Sequence, residues 1–394
     1  MPVISLIAAS LVLGFGTDNP QEALNNINKY RSAEITKARE NKTTIDTVAL
    51  NAKVKEMAKD AIDGVKPGEI EAKDGYAWMQ LFYMAEEYPS IEELCKKYMT
   101  SSPSAASKFS AELMCMNTFR QTGELDKGAM VAQMIEAPSA MNASTVLTYG
   151  CYYFVDAVQE SKGLDAAVKF LDDLAGKVGE PKEDREKASI ASALANYYST
   201  KAEMLFSAGK KDAAKATLDA GNADARIPEA NKRGMNMDAT RLMLNGNPAP
   251  AIPMTENYGG YTSLADLKGK IVVIDFMAHW CGPCKAAFPD IIAMHNELKS
   301  KGVQVISVTR YYGYYGQERN ITKEAEYAKM ADFKKEFGLD WPIVFTENDA
   351  FTNYGIRGIP TMVVIGRDGN VLSSHVGYSK DSFAKFVEEL KTHL

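Results

Sequence analysis

A proline-rich stretch, Asn245–Pro253, divides the sequence into two parts with different hydrophobic periodicity. Its prolines favour extended backbone and cannot continue a helix, so the helical pattern ends there. Residues 19–246 carry Ala, Leu and Met at helical spacing, whereas residues 263–394 alternate short apolar runs with amphipathic segments. A chain of 394 residues is also long for one hydrophobic core. We therefore predict a multidomain protein, with an all-α region, a linker or entry segment over 247–262, and an α/β domain.

The all-α region contains a weak internal repeat. A long helix, a turn glycine, an acidic residue and a second helix recur around Gly123, Gly163 and Gly209, at intervals of 40 and 46 residues. The small and aromatic positions of residues 193–221 resemble a tetratricopeptide unit. We predict an irregular array of helical hairpins, which would stack to bury its apolar faces and leave a concave surface for a partner protein. A plain helical bundle with no such partner is the alternative.

The α/β part has strand and helix signals in alternation. The predicted strands are Ile271–Phe276, Val303–Thr309, Ile343–Phe345, Thr361–Ile365 and Val371–Val376. The predicted helices are Lys285–Lys301, Lys323–Phe337, Ala350–Tyr354 and Lys380–Leu394.

The first residues of the chain resemble an export signal. Val3–Phe15 is apolar or small and carries no charge, which fits the central region of a signal peptide and is too short to span a bilayer. We predict a signal peptide over residues 1–18, an extracytoplasmic location and no stable membrane span. Met1-Pro2 supplies no positive charge, so a buried N-terminal strand or helix in a cytoplasmic protein is the alternative.

Two cysteines at C-x-x-C spacing, Cys281 and Cys284, fall between a predicted strand and a predicted helix. On the first turn of a helix such a pair can close a small disulfide ring, and the helix dipole favours a thiolate at the first cysteine. A zinc site would need two further thiol or imidazole ligands, and the sequence has four histidines and no second C-x-x-C. The pattern predicts redox chemistry with no metal site, in which the cysteine pair itself carries the electrons.

The remaining three cysteines are Cys95, Cys115 and Cys151. Their odd number argues against a framework fully stapled by disulfides, although Cys95 and Cys115 could pair. In helical sequence rich in Met and Leu we expect them to be small buried hydrophobic residues.

The charge pattern excludes one class of partner. The formal net charge is −6 and the sequence contains no basic stripe, so we predict no nucleic-acid binding.

The segment Asp275–Lys285 (DFMAHWCGPCK) resembles the active-site segment of the thioredoxins, and Pro289 also falls at that family's position. Together with Leu264–Lys270 and Gly358-Ile-Pro-Thr361, the pattern over residues 247–394 resembles the TlpA/ResA group of mostly extracytoplasmic thiol-disulfide oxidoreductases. The resemblance implies a thioredoxin fold with a central mixed sheet, acting on disulfide-containing protein substrates.

The resemblance also implies roles for individual residues. Cys281 would be the exposed, attacking thiolate, with a lowered pKa, and Cys284 the resolving thiol. Pro360 would be a cis-proline facing the cysteines, and Ile359 would offer its backbone to an extended substrate. Trp280 would pack beside the disulfide and shield it. Supporting positions would be Gly282, Pro283, Lys285 and Pro289.

Asp275 lies six residues before Cys281, at the place of the thioredoxins' buried aspartate. Within an apolar strand its pKa should be raised, so that it can accept the Cys284 proton. A solvent-facing Asp at a strand edge is the alternative. Many TlpA/ResA relatives carry a glutamate three residues after the second cysteine, where this chain has Ala287. We therefore expect the acid–base partner to be of the thioredoxin kind.

Two further features flank the site. The tyrosines of residues 311–315 follow a predicted strand, and they would form either a mobile binding lip or a packing surface for the inserted segment. His279 precedes Trp280, and we expect it to be an exposed bystander.

We predict a thiol-disulfide oxidoreductase that reduces protein disulfides, because the Gly-Pro pair between the cysteines matches the reducing thioredoxins. No flavin or nucleotide is implied, but an upstream thiol electron donor is required. One alternative is a helical scaffold whose thioredoxin fold serves mainly as a docking module. Another is a peroxidase of the peroxiredoxin type, which is disfavoured because Ala278 stands where such a site needs threonine.

Overall fold

The computed structural model describes residues 19–41 and 43–394, so the predicted signal peptide lies outside the described residues. Two compact units divide the chain, one ending at Tyr197 and the other spanning Tyr198–Leu394. The division falls within a helix, Asp184–Ser207. The domain boundaries drawn from sequence stay a prediction.

In the described part of the first unit, all regular secondary structure is helical. Several of its helices begin at a side-chain cap, as sequence chemistry favours: Asn19 accepts from the backbone N–H of Glu22, and Ser104 from that of Ser107. The helices are α1 (Pro20–Glu40), α2 (Thr47–Ile62), α3 (Gly75–Met84), α4 (Pro89–Met99), α5 (Ala105–Thr122), α6 (Leu125–Met134), α7 (Ala140–Tyr149), α8 (Val155–Lys162), α9 (Leu164–Gly176) and α10 (Asp184–Ser207). A π-helical turn, Gly150–Phe154, separates α7 from α8.

The glycines of the internal repeat lie at the ends of helices, as expected. Gly123, Gly163 and Gly209 have φ of +76°, +86° and +77°, a left-handed conformation that glycine adopts at little cost. Each lies between two consecutive helices, and the helices that flank Gly123 and those that flank Gly163 pack against each other as hairpins. The likeness to a tetratricopeptide unit stays a prediction.

Cys95 and Cys115 are joined by a disulfide, beside a buried cluster to which α1 to α5 contribute. The pairing that the sequence left open is therefore present, in place of the small buried hydrophobic residues that we expected. The two positions are 20 residues apart, on α4 and α5. Packing brings these helices together, and sequence spacing alone does not reveal it. The third cysteine of this unit, Cys151, is buried.

The second unit begins with the end of α10 and two further helices, which precede a strand–helix alternation. Its elements are α11 (Lys211–Ala223), α12 (Glu229–Leu244), β1 (Met254–Tyr258), β2 (Ile271–Phe276), α13 (Gly282–Leu298), β3 (Val303–Thr309), β4 (Tyr314–Tyr315), β5 (Glu318–Arg319), α14 (Lys323–Glu336), β6 (Ile343–Thr346), α15 (Asn348–Asn353), β7 (Thr361–Ile365), β8 (Val371–Val376) and α16 (Lys380–Lys391).

Within the described residues, six strands form one mixed sheet in the order β1-β6-β3-β2-β7-β8. The strands β2, β3 and β6 run parallel, and the others pair antiparallel. All six residues of β2 are buried. Alternate side chains of β2 enter different cores, Val273 on one face and Val272 and Ile274 on the other. The predicted thioredoxin-like mixed sheet is confirmed, with β2 at its centre.

The segment predicted as a linker is bound to the α/β fold. Gly246 N donates to Val371 O, Ala249 N donates to Gly369 O, and Ile252 is buried in one of the two cores. Residues 254–258 form the edge strand β1, which the sequence did not predict because Met-Thr-Glu-Asn-Tyr shows no alternation of apolar and polar residues. An edge strand can form through backbone hydrogen bonds alone.

No helix within residues 19–41 and 43–394 is both long and apolar enough to cross a bilayer.

Candidate active site

Cys281 and Cys284 form a disulfide at the start of α13, with an S–S distance of 2.01 Å. Cys281 is the N-cap residue of this helix, and its Sγ accepts a hydrogen bond of 3.1 Å from the backbone N–H of Cys284. In the reduced protein the same N–H and the helix dipole favour a negative charge on Cys281. The local structure thus selects Cys281 as the thiolate.

Both sulfur-bearing residues are buried: Cys281 is 3% exposed and Cys284 1% exposed. The expectation that Cys281 would be exposed was therefore wrong, because the loops that carry Trp280, Tyr312 and Ile359 surround it. Cys281 nevertheless lines an open cavity of about 580 Å³ together with these three residues. A substrate disulfide can reach the sulfur through this cavity.

The Ile359–Pro360 peptide bond is cis, as the resemblance implied. The carbonyl oxygen of Ile359 lies 3.8 Å from Cys281 Sγ. Ile359 also lines the cavity, and its predicted role in binding an extended substrate segment stays a prediction.

Trp280 is 46% exposed and lines the cavity, with its ring edge against Tyr312 at a centroid distance of 5.4 Å. It therefore stands at the rim, with nearly half of its surface open to solvent. Gly282 and Pro283 line the same cavity. The Lys285 ammonium lies 5.7 Å from the ring centroid of Phe337.

Pro289 lies inside α13, where it lacks the N–H that an uninterrupted helix would use. Ala287, at the position where many relatives carry a glutamate, is fully buried in the core.

Asp275 lies on β2, buried with 1% exposure. Its Oδ2 accepts a hydrogen bond of 2.9 Å from Ser307 Oγ. Ser307 Oγ in turn accepts a hydrogen bond of 2.9 Å from Trp341 Nε1. Among the described residues Asp275 Oδ1 has no hydrogen-bond partner. Burial raises the pKa of Asp275 to about 7, although the hydrogen bond from Ser307 opposes the shift. The predicted burial and raised pKa are confirmed, and the solvent-facing alternative is excluded.

His279 is buried, not exposed as we expected. Its ring packs against Tyr312, Tyr314 and Tyr315, with centroid distances of 5.7, 5.3 and 4.9 Å. Burial, with a further effect from the positive charge of Lys285, lowers the pKa of His279 to about 4, so the ring is neutral at pH 7. The tyrosine segment therefore packs on the residues that lead into the C-x-x-C motif.

Glu326 fixes the tyrosine segment from α14. This carboxylate is fully buried and accepts hydrogen bonds from Tyr312 N, at 3.0 Å, and Gly313 N, at 2.8 Å. Its Oε1 lies 3.4 Å from His279 Nε2. The loop that supports Trp280 is thus held by a buried acidic residue.

Sequence reasoning missed Glu326 and the pair Ser307 and Trp341. Ser307 was within reach, because β2 and β3 pair in parallel with Asp275 opposite Ser307, and both strands had been predicted. Glu326 gave no signal: it stands in a helix rich in Lys and Glu and has the composition of a solvent-facing residue.

Among the residues that the structure describes, no group of three or more His, Cys, Asp or Glu side chains is placed to hold a metal ion.

Comparisons with known proteins agree with this geometry. The Redoxin family model matches residues 244–391. The thiol-disulfide oxidoreductase ResA of Bacillus subtilis is 29% identical over 138 residues, which make up 35% of this chain and 70% of that protein. ResA of Bacillus thuringiensis is 27% identical over 146 residues, covering 37% of this chain and 76% of that protein.

Among solved structures, the thioredoxin domain of a thiol-disulfide oxidoreductase from Bacteroides vulgatus is 24% identical, with a TM-score of 0.31, covering 37% of this chain and 96% of that one. The all-helical region precedes the matched segment. Residues 244–391 are a redoxin domain of the thioredoxin-like ResA type, and this domain is similar to thiol-disulfide oxidoreductases of that type.

Proposed function

We propose that this protein works as a reductant, transferring two electrons from its cysteine pair to disulfides of partner proteins in an extracytoplasmic compartment. The observation that carries the proposal is the environment of the pair. Cys281 caps α13 beside the open cavity, and the buried Asp275 supplies a carboxyl group whose pKa lies near neutrality.

The first chemical step is attack of the Cys281 thiolate on one sulfur of the substrate disulfide. The substrate S–S bond breaks, Cys281 forms a mixed disulfide with the attacked sulfur, and the other substrate sulfur leaves as a thiolate that takes up a proton. The N–H of Cys284 stabilises the attacking sulfur as an anion.

The second step releases the substrate. Cys284 loses its proton and its sulfur attacks Cys281 Sγ, which breaks the mixed disulfide and frees the second substrate sulfur as a thiolate. We assign Asp275 as the acceptor of the Cys284 proton, because a pKa of about 7 leaves much of this carboxyl ionised at neutral pH. The net result is the transfer of two electrons to the substrate, whose two thiolates take up one proton from solvent and one from Cys284 by way of Asp275.

The dithiol must then be restored by an upstream dithiol donor, through the same exchange in reverse. The Gly282-Pro283 pair between the cysteines supports the reducing direction, since it matches that of the thioredoxins. Val3–Phe15 supports export, and mass spectrometry of the native N-terminus tests it: cleavage near Gly16–Asn19 is expected, and an intact Met1 would contradict export.

We propose that the helical region recruits the partner protein, because hairpin arrays commonly present extended surfaces for binding. Deleting the helical hairpins of the first unit should therefore slow reduction of the partner without changing the rate on a small disulfide. Equal losses on both substrates would refute this role.

The direction is tested by the reduction potential of the full chain, measured by equilibration with glutathione. We expect a value nearer the ~−270 mV of thioredoxin, and a value near ~−120 mV would overturn the reductant proposal.

The chemistry is tested by trapping. Cys284→Ser should accumulate a mixed disulfide with a disulfide-bonded model protein, and the matched variant Cys281→Ser should not. Absence of the adduct in Cys284→Ser would favour the docking-module alternative.

A further inference from the structure

The cavity that opens onto Cys281 is bounded on one side by a helix outside the family match. The helix α12 ends at Leu244, where the Redoxin match begins, and both lie in the unit Tyr198–Leu394. Its side chains Arg233 and Met237 line the cavity. They are four residues apart and so share one face of the helix. Part of the lining of this cavity is therefore built from sequence outside the Redoxin match.

A glycine lets α12 approach the redoxin domain closely. Gly355, in the turn after α15, has φ of +64°. A Cβ at this position would lie 2.1 Å from Met237 O and 2.6 Å from Arg241 N, both on the α12 backbone. No other residue fits there without displacing α12, so the helix rests directly on the turn that leads to the cavity.

Buried charges fix α12 further. Arg241 is 5% exposed, donates to Ser374 Oγ on β8 at 3.1 Å and lies 3.4 Å from Asp238. Asp238 in turn accepts from Arg357 Nη1 at 2.9 Å. Removing one member of such a pair leaves an uncompensated buried charge, which is strongly unfavourable. We conclude that α12 is a fixed wall of the cavity.

The charges around the cavity have one sign. Among its described lining residues are three arginines, Arg233 on α12, Arg310 after β3 and Arg357 before the cis-proline, and none of the described lining residues is a carboxylate. Arg310 lies 5.3 Å from the ring centroids of Tyr312 and Phe351. Asp238, outside the lining, pairs with Arg357, and the exposed Arg233 adds a guanidinium group from α12. The described lining itself is therefore positive, in a chain of net charge −6.

We propose that α12 and these arginines select protein substrates whose disulfide is flanked by acidic side chains. This inference rests on the proposed reductase function and names its substrate class. A substrate segment that passes along Ile359 to reach Cys281 brings its neighbouring residues within the field of the arginines. Guanidinium groups bind carboxylates in bidentate geometry, and a cleft of one charge raises the rate of encounter with the opposite charge.

The test uses three peptides with one intramolecular disulfide each, identical except that the residues beside the cysteines are Glu, Gln or Lys. The reduced full-length protein is mixed with each peptide, and its oxidation is followed by tryptophan fluorescence in stopped flow. We expect rate constants in the order Glu, Gln, Lys, with about a tenfold span at low salt that shrinks towards twofold in 0.5 M NaCl. Equal rates for the Glu and Lys peptides would overturn the proposal.

A matched pair of variants locates the effect. Arg233→Gln should reduce the Glu-over-Lys preference about threefold, and Arg233→Glu should reduce it further. The control Lys270→Gln removes the same charge from an exposed residue before β2, at the opposite end of that strand from Cys281, and should leave the preference unchanged. Equal effects of Arg233→Gln and Lys270→Gln would refute a role for α12.

Binding of the same peptides, fluorescently labelled, to the oxidised protein separates this inference from the proposed function. If the Gln peptide is reduced but the three affinities are equal, the selectivity is refuted and the reductase function stands. If none of the peptides is reduced, the reductase function fails. The affinities then decide the charge preference by themselves, with the order Glu, Gln, Lys supporting it.

Discussion

The burial of Asp275 makes a quantitative prediction about stability. Its pKa rises from an ordinary 3.8 to about 7 because the carboxyl group is desolvated. Each tenfold change in a protonation equilibrium corresponds to ~1.4 kcal/mol, so the difference between these two pKa values corresponds to a free energy of about 4 kcal/mol. This is the approximate cost of keeping an ionised carboxylate at this position.

The sign follows from comparing the two states. Below about pH 4 the folded and unfolded chains both carry the proton, and the full stability is present. Between pH 4 and 7 the unfolded chain loses the proton while the folded chain keeps it, so the free energy of unfolding falls as the pH rises. Above pH 7 both states are ionised and the loss is complete.

Asp275→Asn should remove this dependence, since an amide does not ionise. At pH 8.5 the variant should be more stable than the wild type by about 2–4 kcal/mol, and the difference should vanish or reverse near pH 4. In the opposite direction, loss of the proton acceptor should slow release of the reduced substrate about 10²-fold at pH 7. A gain in stability with a loss of activity is the signature expected of a functional buried acid.

The assay is guanidinium unfolding of the oxidised protein at pH 4, 5.5, 7 and 8.5. A Trp78→Phe background confines the tryptophan signal to Trp280 and Trp341, both in the unit that contains Asp275. The control Asp332→Asn changes an exposed aspartate of α14 and should follow the wild-type profile. Parallel pH profiles for wild type and Asp275→Asn would refute the reasoning.

Three further substitutions probe the surroundings. Ser307→Ala removes the hydrogen bond that favours ionised Asp275, so the pKa of Asp275 should rise further and the pH–rate profile should move to higher pH. Glu326→Ala leaves the partly buried N–H groups of Tyr312 and Gly313 without their acceptor, which should cost about 2 kcal/mol in denaturant unfolding. Gly355→Ala combines a left-handed φ with overlap on α12, and should cost more than the ~1–2 kcal/mol of the φ alone and reduce the peptide selectivity.

The last two substitutions have matched controls. Glu324→Ala changes an exposed glutamate two residues from Glu326 and should have little effect on unfolding. Gly338→Ala also places an alanine at a positive φ, here +67°, but its Cβ would meet no atom within 4 Å. If Gly355→Ala and Gly338→Ala are equally destabilising, α12 does not press on the turn as described.

The parts of the fold that sequence predicted well are those whose local pattern and tertiary role agree. The strands β2 and β3 were predicted to the residue because strands that are buried on both faces are rich in Val and Ile. The helix α13 begins at Gly282, three residues before the predicted start at Lys285, although the motif had already indicated that the cysteines lie on its first turn. Asp275 was predicted as a site residue because it is a charged residue within an otherwise apolar strand.

The parts that were missed depend on contacts between distant segments. His279 and Glu326 are polar residues in polar surroundings along the chain, and only folding places one against the other. Cys95 and Cys115 meet because α4 and α5 pack together. The role of α12 at the cavity was hidden in the same way, because Arg233 and Met237 look like any helical residues until the turn at Gly355 is placed beside them.

The seating of α12 has a practical and an evolutionary consequence. An expression fragment cut at residue 244, the limit of the family match, would keep both cysteines and Asp275 but lose Arg233, Asp238 and Arg241. Such a fragment should exchange disulfides with a weaker preference for acidic substrates, since Arg310 and Arg357 remain, and it would expose apolar surface that α12 covers in the intact chain. Because α12 and the cysteine pair lie on separate stretches of sequence, substrate preference can diverge between relatives while the disulfide-exchange chemistry stays the same.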